Sequence, residues 1–93
     1  MHGLGIVHRD IKPENVLCEE FSDVPLDEIN VKIADFGLAV KTLPGQKIRT
    51  KAGSPLTVAP EIISGQPYDS KVDVWSLGIV TFNLLSARNP FEP

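Results

Sequence analysis

With a single cysteine, Cys18, among its 93 residues, the chain can close no internal disulfide. Disulfide-stapled secreted scaffolds are therefore excluded, and a reducing compartment, cytosolic or nuclear, is the expectation. Positive charge is not in excess either. Nine Lys and Arg stand against twelve Asp and Glu, a formal net charge of −3, so neither nucleic acid nor an anionic membrane is expected as a partner. No apolar run is long enough to cross a bilayer; the longest largely apolar stretch, 72–85, carries Asp73, Ser76 and Asn83. The opening Met1-His2-Gly3-Leu4-Gly5 has neither the basic region nor the apolar core of a secretory signal. There is no internal repeat, and the eight prolines are scattered at turns, which argues against a polyproline ligand.

What remains is an ordinary globular composition, 42% apolar, in a length that suits one small domain and not two. A chain this short buries a smaller share of its surface than a larger domain, so stability on its own is expected to be marginal. Leu4, Ile6 and Val7 form a short apolar run punctuated by Gly3 and Gly5. Val16-Leu17-Cys18 and Val31 to Ala34 each suggest a short strand, the second with Val31 and Ile33 on one face and Lys32 on the other. The stretch between them is acidic and loop-like, with Glu19, Glu20, Asp23, Asp27 and Glu28. From Lys41 to Lys51 the chain turns basic, with a turn at Pro44-Gly45. Pro60 and Gly65 bracket a short helix at its first turn and just past its end. Ser70, with Asp73 three residues later, suggests a variant capping box opening a helix over about 71–85.

That last helix carries Val72, Val74, Trp75, Leu77, Ile79, Val80, Phe82, Leu84 and Leu85. At about 100° per residue these positions cover nearly the whole circumference, and a helix apolar all round requires burial on every side. Nothing else in the 93 residues is large enough to surround it. The expectation is that the chain is the middle of a bigger domain.

The chemistry is concentrated in His8-Arg9-Asp10-Ile11-Lys12-Pro13-Glu14-Asn15. An acid able to accept a proton, an ammonium able to reach a phosphate and an amide able to ligand a metal share one loop. Twenty positions after Asn15 comes Asp35-Phe36-Gly37, and Ala59-Pro60-Glu61 follows. Each tripeptide alone is an ordinary turn or helix start. In this order and spacing the three together resemble the protein kinase family, matching its catalytic loop, its metal-binding motif and the close of its activation segment.

The resemblance implies an α+β fold of protein-kinase type, of which residues 1–93 would be part of the mainly helical C-terminal lobe. It places a catalytic loop at 8–15, an activation segment at 35–61 and a buried helix at about 71–85. The implied reaction is transfer of the γ-phosphoryl group of ATP, with Mg²⁺, to a serine or threonine hydroxyl on a protein substrate. Asp10 matches the catalytic base, and Lys12 would stabilise the transferred phosphoryl group. Lys12, Glu14, Asn15 and Asp35 would face the nucleotide, with Asn15 and Asp35 as metal ligands. A hairpin joining 16–17 to 31–33 would bring those two together across its open end. Lys12-Pro13-Glu14 is similar to the serine/threonine form rather than the tyrosine form.

Arg9 matches the arginine that pairs with a phosphorylated activation segment, and Thr50 is where such a phosphate would sit; Thr42 is a weaker position for it. Ser54 resembles the hydroxyl residue that bonds the catalytic aspartate and lysine beside the substrate pocket. Glu61 matches a glutamate that pairs with a distant arginine, and no such arginine follows here. Asp73 matches a helix aspartate that braces the catalytic-loop backbone. His8 is expected to pack and hydrogen-bond rather than act as acid or base, and His2 to have no specific partner.

Two departures stand out. Leu56-Thr57 occupies the place where relatives commonly have an aromatic residue, which bears on substrate preference. The acidic insert before Asp35 is longer than usual, and it resembles the calcium- and calmodulin-dependent branch, as does 68–93. A calcium sensor or an upstream kinase is therefore added to the expected partners. The 93 residues contain no glycine-rich phosphate loop, no strand lysine paired with a helix glutamate and no adenine hinge. The segment alone is expected to be inactive. The rival expectation is a truncated or pseudokinase product that serves as a non-catalytic interaction module.

Overall fold

The computed structural model describes residues 1–18 and 31–86; the acidic stretch of Glu19 to Glu28 lies outside them. Among the described residues the order is a 3-10 turn at His2–Leu4, β1 (Ile6–Val7), a second 3-10 turn at Pro13–Asn15, β2 (Val16–Cys18), β3 (Val31–Ile33), β4 (Val40–Lys41), α1 (Pro60–Ile63) and α2 (Lys71–Ser86). Helix and short antiparallel strands together give the α+β character expected of a partial kinase lobe.

β2 and β3 pair antiparallel, with Val16 opposite Ile33, Leu17 opposite Lys32 and Cys18 opposite Val31. Their β-branched residues suit a pleated ladder. The ladder is poorly covered, however: Val31 is 58% exposed and Leu17 52%. β1 pairs with β4, Val7 opposite Val40 and Ile6 opposite Lys41. Gly5, at φ 77°, makes that approach possible, because a Cβ there would run into the Thr42 carbonyl oxygen. The Gly5 carbonyl accepts hydrogen bonds from the Thr42 amide at 2.6 Å and from its hydroxyl at 3.1 Å.

Proline opens α1, where its missing N–H costs nothing, and Gly65 at φ 77° follows its end. Val7, Ile48, Ala59, Ile62, Tyr68 and Val72 form the core, with Val40 and Val58 packed against it. Each such side chain contributes about 1.5–3 kcal/mol when fully buried. The core thus ties β1, the isolated antiparallel bridge between Ile48 and Tyr68, α1 and the start of α2 into one unit.

The start of α2 departs from a capping box. Asp69, not Asp73, accepts the first free amide, from Lys71 at 3.0 Å. Asp73 turns away from its own helix end because its carboxylate is claimed by a distant loop, a tertiary demand that overrides the local pattern. Burial also differs from a helix enclosed on all sides. Val72, Asp73, Ser76, Ile79 and Val80 make one buried stripe, whereas Val74 is 64% and Leu85 85% exposed. Among the described residues no helix is long and apolar enough to cross a membrane.

Candidate active site

Asp73 organises the loop that bears the acid. It is 2% exposed, and its two oxygens accept the backbone amides of His8 at 2.8 Å and Arg9 at 2.9 Å. The His2 imidazole approaches the same carboxylate, Nε2 to Oδ2 at 2.8 Å. Arg9 holds φ at 70°, a conformation unfavourable for a residue with a Cβ. Two amides fixed on one buried carboxylate stabilise that turn and set the direction in which the chain continues to Asp10.

His8 lies at 0% exposure and uses both ring nitrogens. Nδ1 accepts the Asp10 amide at 3.0 Å, so Nε2 carries the proton and donates to the Ala34 carbonyl at 2.9 Å. Phe36 meets its ring edge-on, with centroids 4.7 Å apart. The imidazole thereby links the catalytic-loop candidate to the residue preceding Asp35. It has no nitrogen left for proton transfer.

Asp10 is 8% exposed and held from several sides. Ser54 donates its hydroxyl to Oδ1 at 2.7 Å, and the Lys12 ammonium lies 3.7 Å from Oδ2. Asn15, also buried, donates its amide to the Asp10 carbonyl at 2.9 Å. With its nitrogen so committed, the Asn15 amide oxygen is the end left for a ligand. The Asn15 carbonyl accepts the Ala34 amide at 2.7 Å, which extends the β2–β3 ladder toward Asp35. Asp35 is exposed, at φ 57°, and its Oδ1 accepts the Gly37 amide at 3.2 Å. Asp10, Lys12, Asn15 and Ser54 thus meet directly, while Asp35 flanks them through the ladder. Glu14 is exposed at the surface of the 3-10 turn and takes no part in these bonds.

The regulatory candidates also converge. Arg9 donates Nε to the Leu38 carbonyl at 2.7 Å and Nη1 to the Thr50 hydroxyl at 2.8 Å and the Tyr68 hydroxyl at 3.2 Å. Tyr68 in turn donates to the Thr50 carbonyl. Gly53, at φ 122°, brings the segment close beneath the Arg9 carbonyl, where a Cβ would sit 3.1 Å away. Ser76 of α2 donates to the Thr57 carbonyl at 2.7 Å and so pins the residue following Leu56. Lys47 pairs with Asp69 at 3.0 Å. The Lys71 amide, followed by the Lys47 ammonium, holds the Asp69 carboxyl below its ordinary value.

Two residues in this network were not foreseen from the sequence. His2 has a specific partner after all, 71 positions away, and Tyr68 supplies a hydroxyl to the Arg9–Thr50 contact. Neither residue type carries a local signal for such a role, since both partners are distant in the chain.

Comparison with known proteins identifies the family. The family model described as protein kinase domain matches residues 1–93. The probable serine/threonine-protein kinase KCC4 of Saccharomyces cerevisiae is 49% identical over 92 residues, covering 98% of this chain and 8% of the yeast protein. The serine/threonine-protein kinase GIN4 of the same yeast is 49% identical over 92 residues, covering 98% and 7%. A probable myosin light chain kinase of Dictyostelium discoideum is 48% identical over 91 residues, covering 98% and 22%. The chain therefore spans less than a quarter of the length of these relatives. With the family model matched along its whole length and serine/threonine kinases aligned to nearly all of it, the chain belongs to the protein kinase domain family.

Proposed function

We propose that these residues are the catalytic-loop, activation-segment and central-helix part of a serine/threonine kinase, which moves the γ-phosphoryl group of ATP to a protein hydroxyl. One observation carries the reading. The Asp10 carboxylate is fixed by Ser54 at one oxygen, and its loop is clamped by Asp73 and locked by His8. Phosphoryl transfer depends mainly on positioning and charge neutralisation, and a carboxylate so held is suited to orient an incoming hydroxyl. Asp10 would accept the hydroxyl proton, and Lys12 beside it would offset charge on the phosphoryl oxygens.

The donor set fits a hard cation. Asn15 offers an amide oxygen and Asp35 a carboxylate, and Mg²⁺ prefers such oxygens. Among the described residues no trio of His, Cys, Asp or Glu converges, and Mg²⁺ commonly takes only one or two carboxylates, with phosphates and waters completing its shell. Bound there, Mg²⁺ would supply charge neutralisation to the phosphates. Arg9 and Thr50 would form the regulatory contact, with Thr50 as phosphate acceptor from an upstream kinase; the acidic insert supports a calcium sensor as activator.

The test is Asp10→Asn in the native polypeptide. Loss of a positioned general base is expected to lower turnover by about 10²–10⁴-fold while ATP affinity is kept. Unchanged turnover would overturn the assignment. A second reading draws on the apolar residues left open on α2, such as Val74 and Leu84. If the native product is this segment alone, no part of it holds adenine, and a partner-binding role replaces the enzymatic one.

A further inference from the structure

We propose that the Tyr68 hydroxyl is the positioning group that tethers the Thr50 end of the basic segment to Arg9, so that the segment docks on the catalytic loop without any added phosphate. The Tyr68 ring is 3% exposed and belongs to the core with Val7, Ile48, Ala59, Ile62 and Val72. Its backbone is fixed as well, accepting the Ile48 amide at 2.7 Å and donating to the Ile48 carbonyl at 3.0 Å. Ring and main chain together leave the hydroxyl one place to go. There it accepts from Arg9 Nη1 at 3.2 Å and donates to the Thr50 carbonyl.

The contact closes a triangle. Arg9 reaches Thr50 through the Thr50 hydroxyl, an exposed bond at 2.8 Å. Tyr68 reaches Thr50 through its main-chain oxygen, in a part-buried bond. A bond shielded from water is the stronger of the two, and leaving its acceptor unmade is the costlier loss. Tyr68 also presents Arg9 with a second acceptor, which holds the guanidinium between Leu38 and Thr50. The main-chain tether survives loss of the Thr50 hydroxyl but not loss of the Tyr68 hydroxyl. This inference does not depend on phosphoryl transfer by the site.

Two variants of the full chain separate the alternatives by NMR: Tyr68→Phe, which removes one oxygen and keeps the buried ring, and Thr50→Ala, which keeps the carbonyl. Tyr68→Phe is expected to move the Thr50 carbonyl ¹³C resonance upfield and to speed exchange of the Arg9 Nη1 protons by about tenfold, the scale of one net hydrogen bond. Amide protection at Val72 should stay at its original value. Thr50→Ala should leave the Arg9 Nη1 protons within about twofold of their original rate. The tether is overturned if Tyr68→Phe leaves both signals in place, or if Thr50→Ala loosens Arg9 as much. The unsubstituted chain gives an independent reading: a slowly exchanging Tyr68 hydroxyl proton with a cross-peak to Thr50 supports the tether, and a freely exchanging one refutes it.

Discussion

Removing the Asp73 carboxylate should unlock the loop at His8 and Arg9, and the size of the effect follows from its contacts. Asp73→Ala deletes the acceptor for the buried amides of His8 and Arg9 and the partner of His2. A hydrogen bond to a charged group contributes about 1.5–3 kcal/mol, so the two amides together represent about 3–6 kcal/mol. The exposed side of the contact, at His2, adds little in comparison. Against this stands the Arg9 backbone at φ 70°, which stores about 1 kcal/mol or more that is released when the clamp opens. The net expected cost is about 2–5 kcal/mol, a large share of the stability of a small domain. Urea denaturation of the native polypeptide measures it, and amide exchange at His8 and Arg9 locates it. A loss below about 0.5 kcal/mol, or exchange that rises evenly along the chain, would refute the clamp.

Two further effects are expected. Gly5→Ala should destabilise by about 2–4 kcal/mol, because the new Cβ meets the Thr42 carbonyl at a positive φ, whereas Gly3→Ala, with open space around it, should be close to neutral; urea midpoints of the two variants give the contrast. The Asp69 carboxyl is held below its ordinary value, first by the Lys71 amide and then by Lys47. Because the folded value is the lower one, its contribution is complete above the unfolded carboxylate range near pH 4 and is lost as pH falls through the folded value. Protection of the Lys71 amide should therefore decline on acidification below about pH 4, and Asp69→Asn, which leaves no carboxyl to protonate, should abolish that decline.

Local features were legible where the cause was local. Pro60 and Gly65 bounded a helix because one lacks an amide and the other tolerates positive φ. The β-branched residues of β2 and β3 marked two strands because side chains branched at Cβ pack well on an extended, pleated backbone. The two-residue pairing of β1 with β4 has no periodicity to read, and it depends on Gly5 meeting Thr42 across 37 positions. Asp73 shows how a local pattern is overridden: the Ser70–Asp73 spacing suits a capping box, yet two loop amides take the carboxylate and Asp69 caps instead. The all-round apolarity of α2 was legible as a demand for burial. The described residues meet that demand along one stripe only, which leaves Leu77, Phe82 and Leu85 open. Within the site, the motifs pointed to Asp10 and Asn15 and the family resemblance to Ser54, whereas the roles of His2 and Tyr68 depend on partners that only folding brings near.

The most direct measurement of the kinase reading is phosphoryl transfer itself. The native polypeptide, purified from its source cells, is incubated with Mg²⁺, ATP labelled at the γ-phosphate and a mixed protein substrate, with Asp10→Asn in parallel. Label on serine and threonine, lost in the variant while nucleotide binding persists, is the expected result. Nucleotide binding with no transfer by the unsubstituted protein, or equal transfer by both forms, would contradict it.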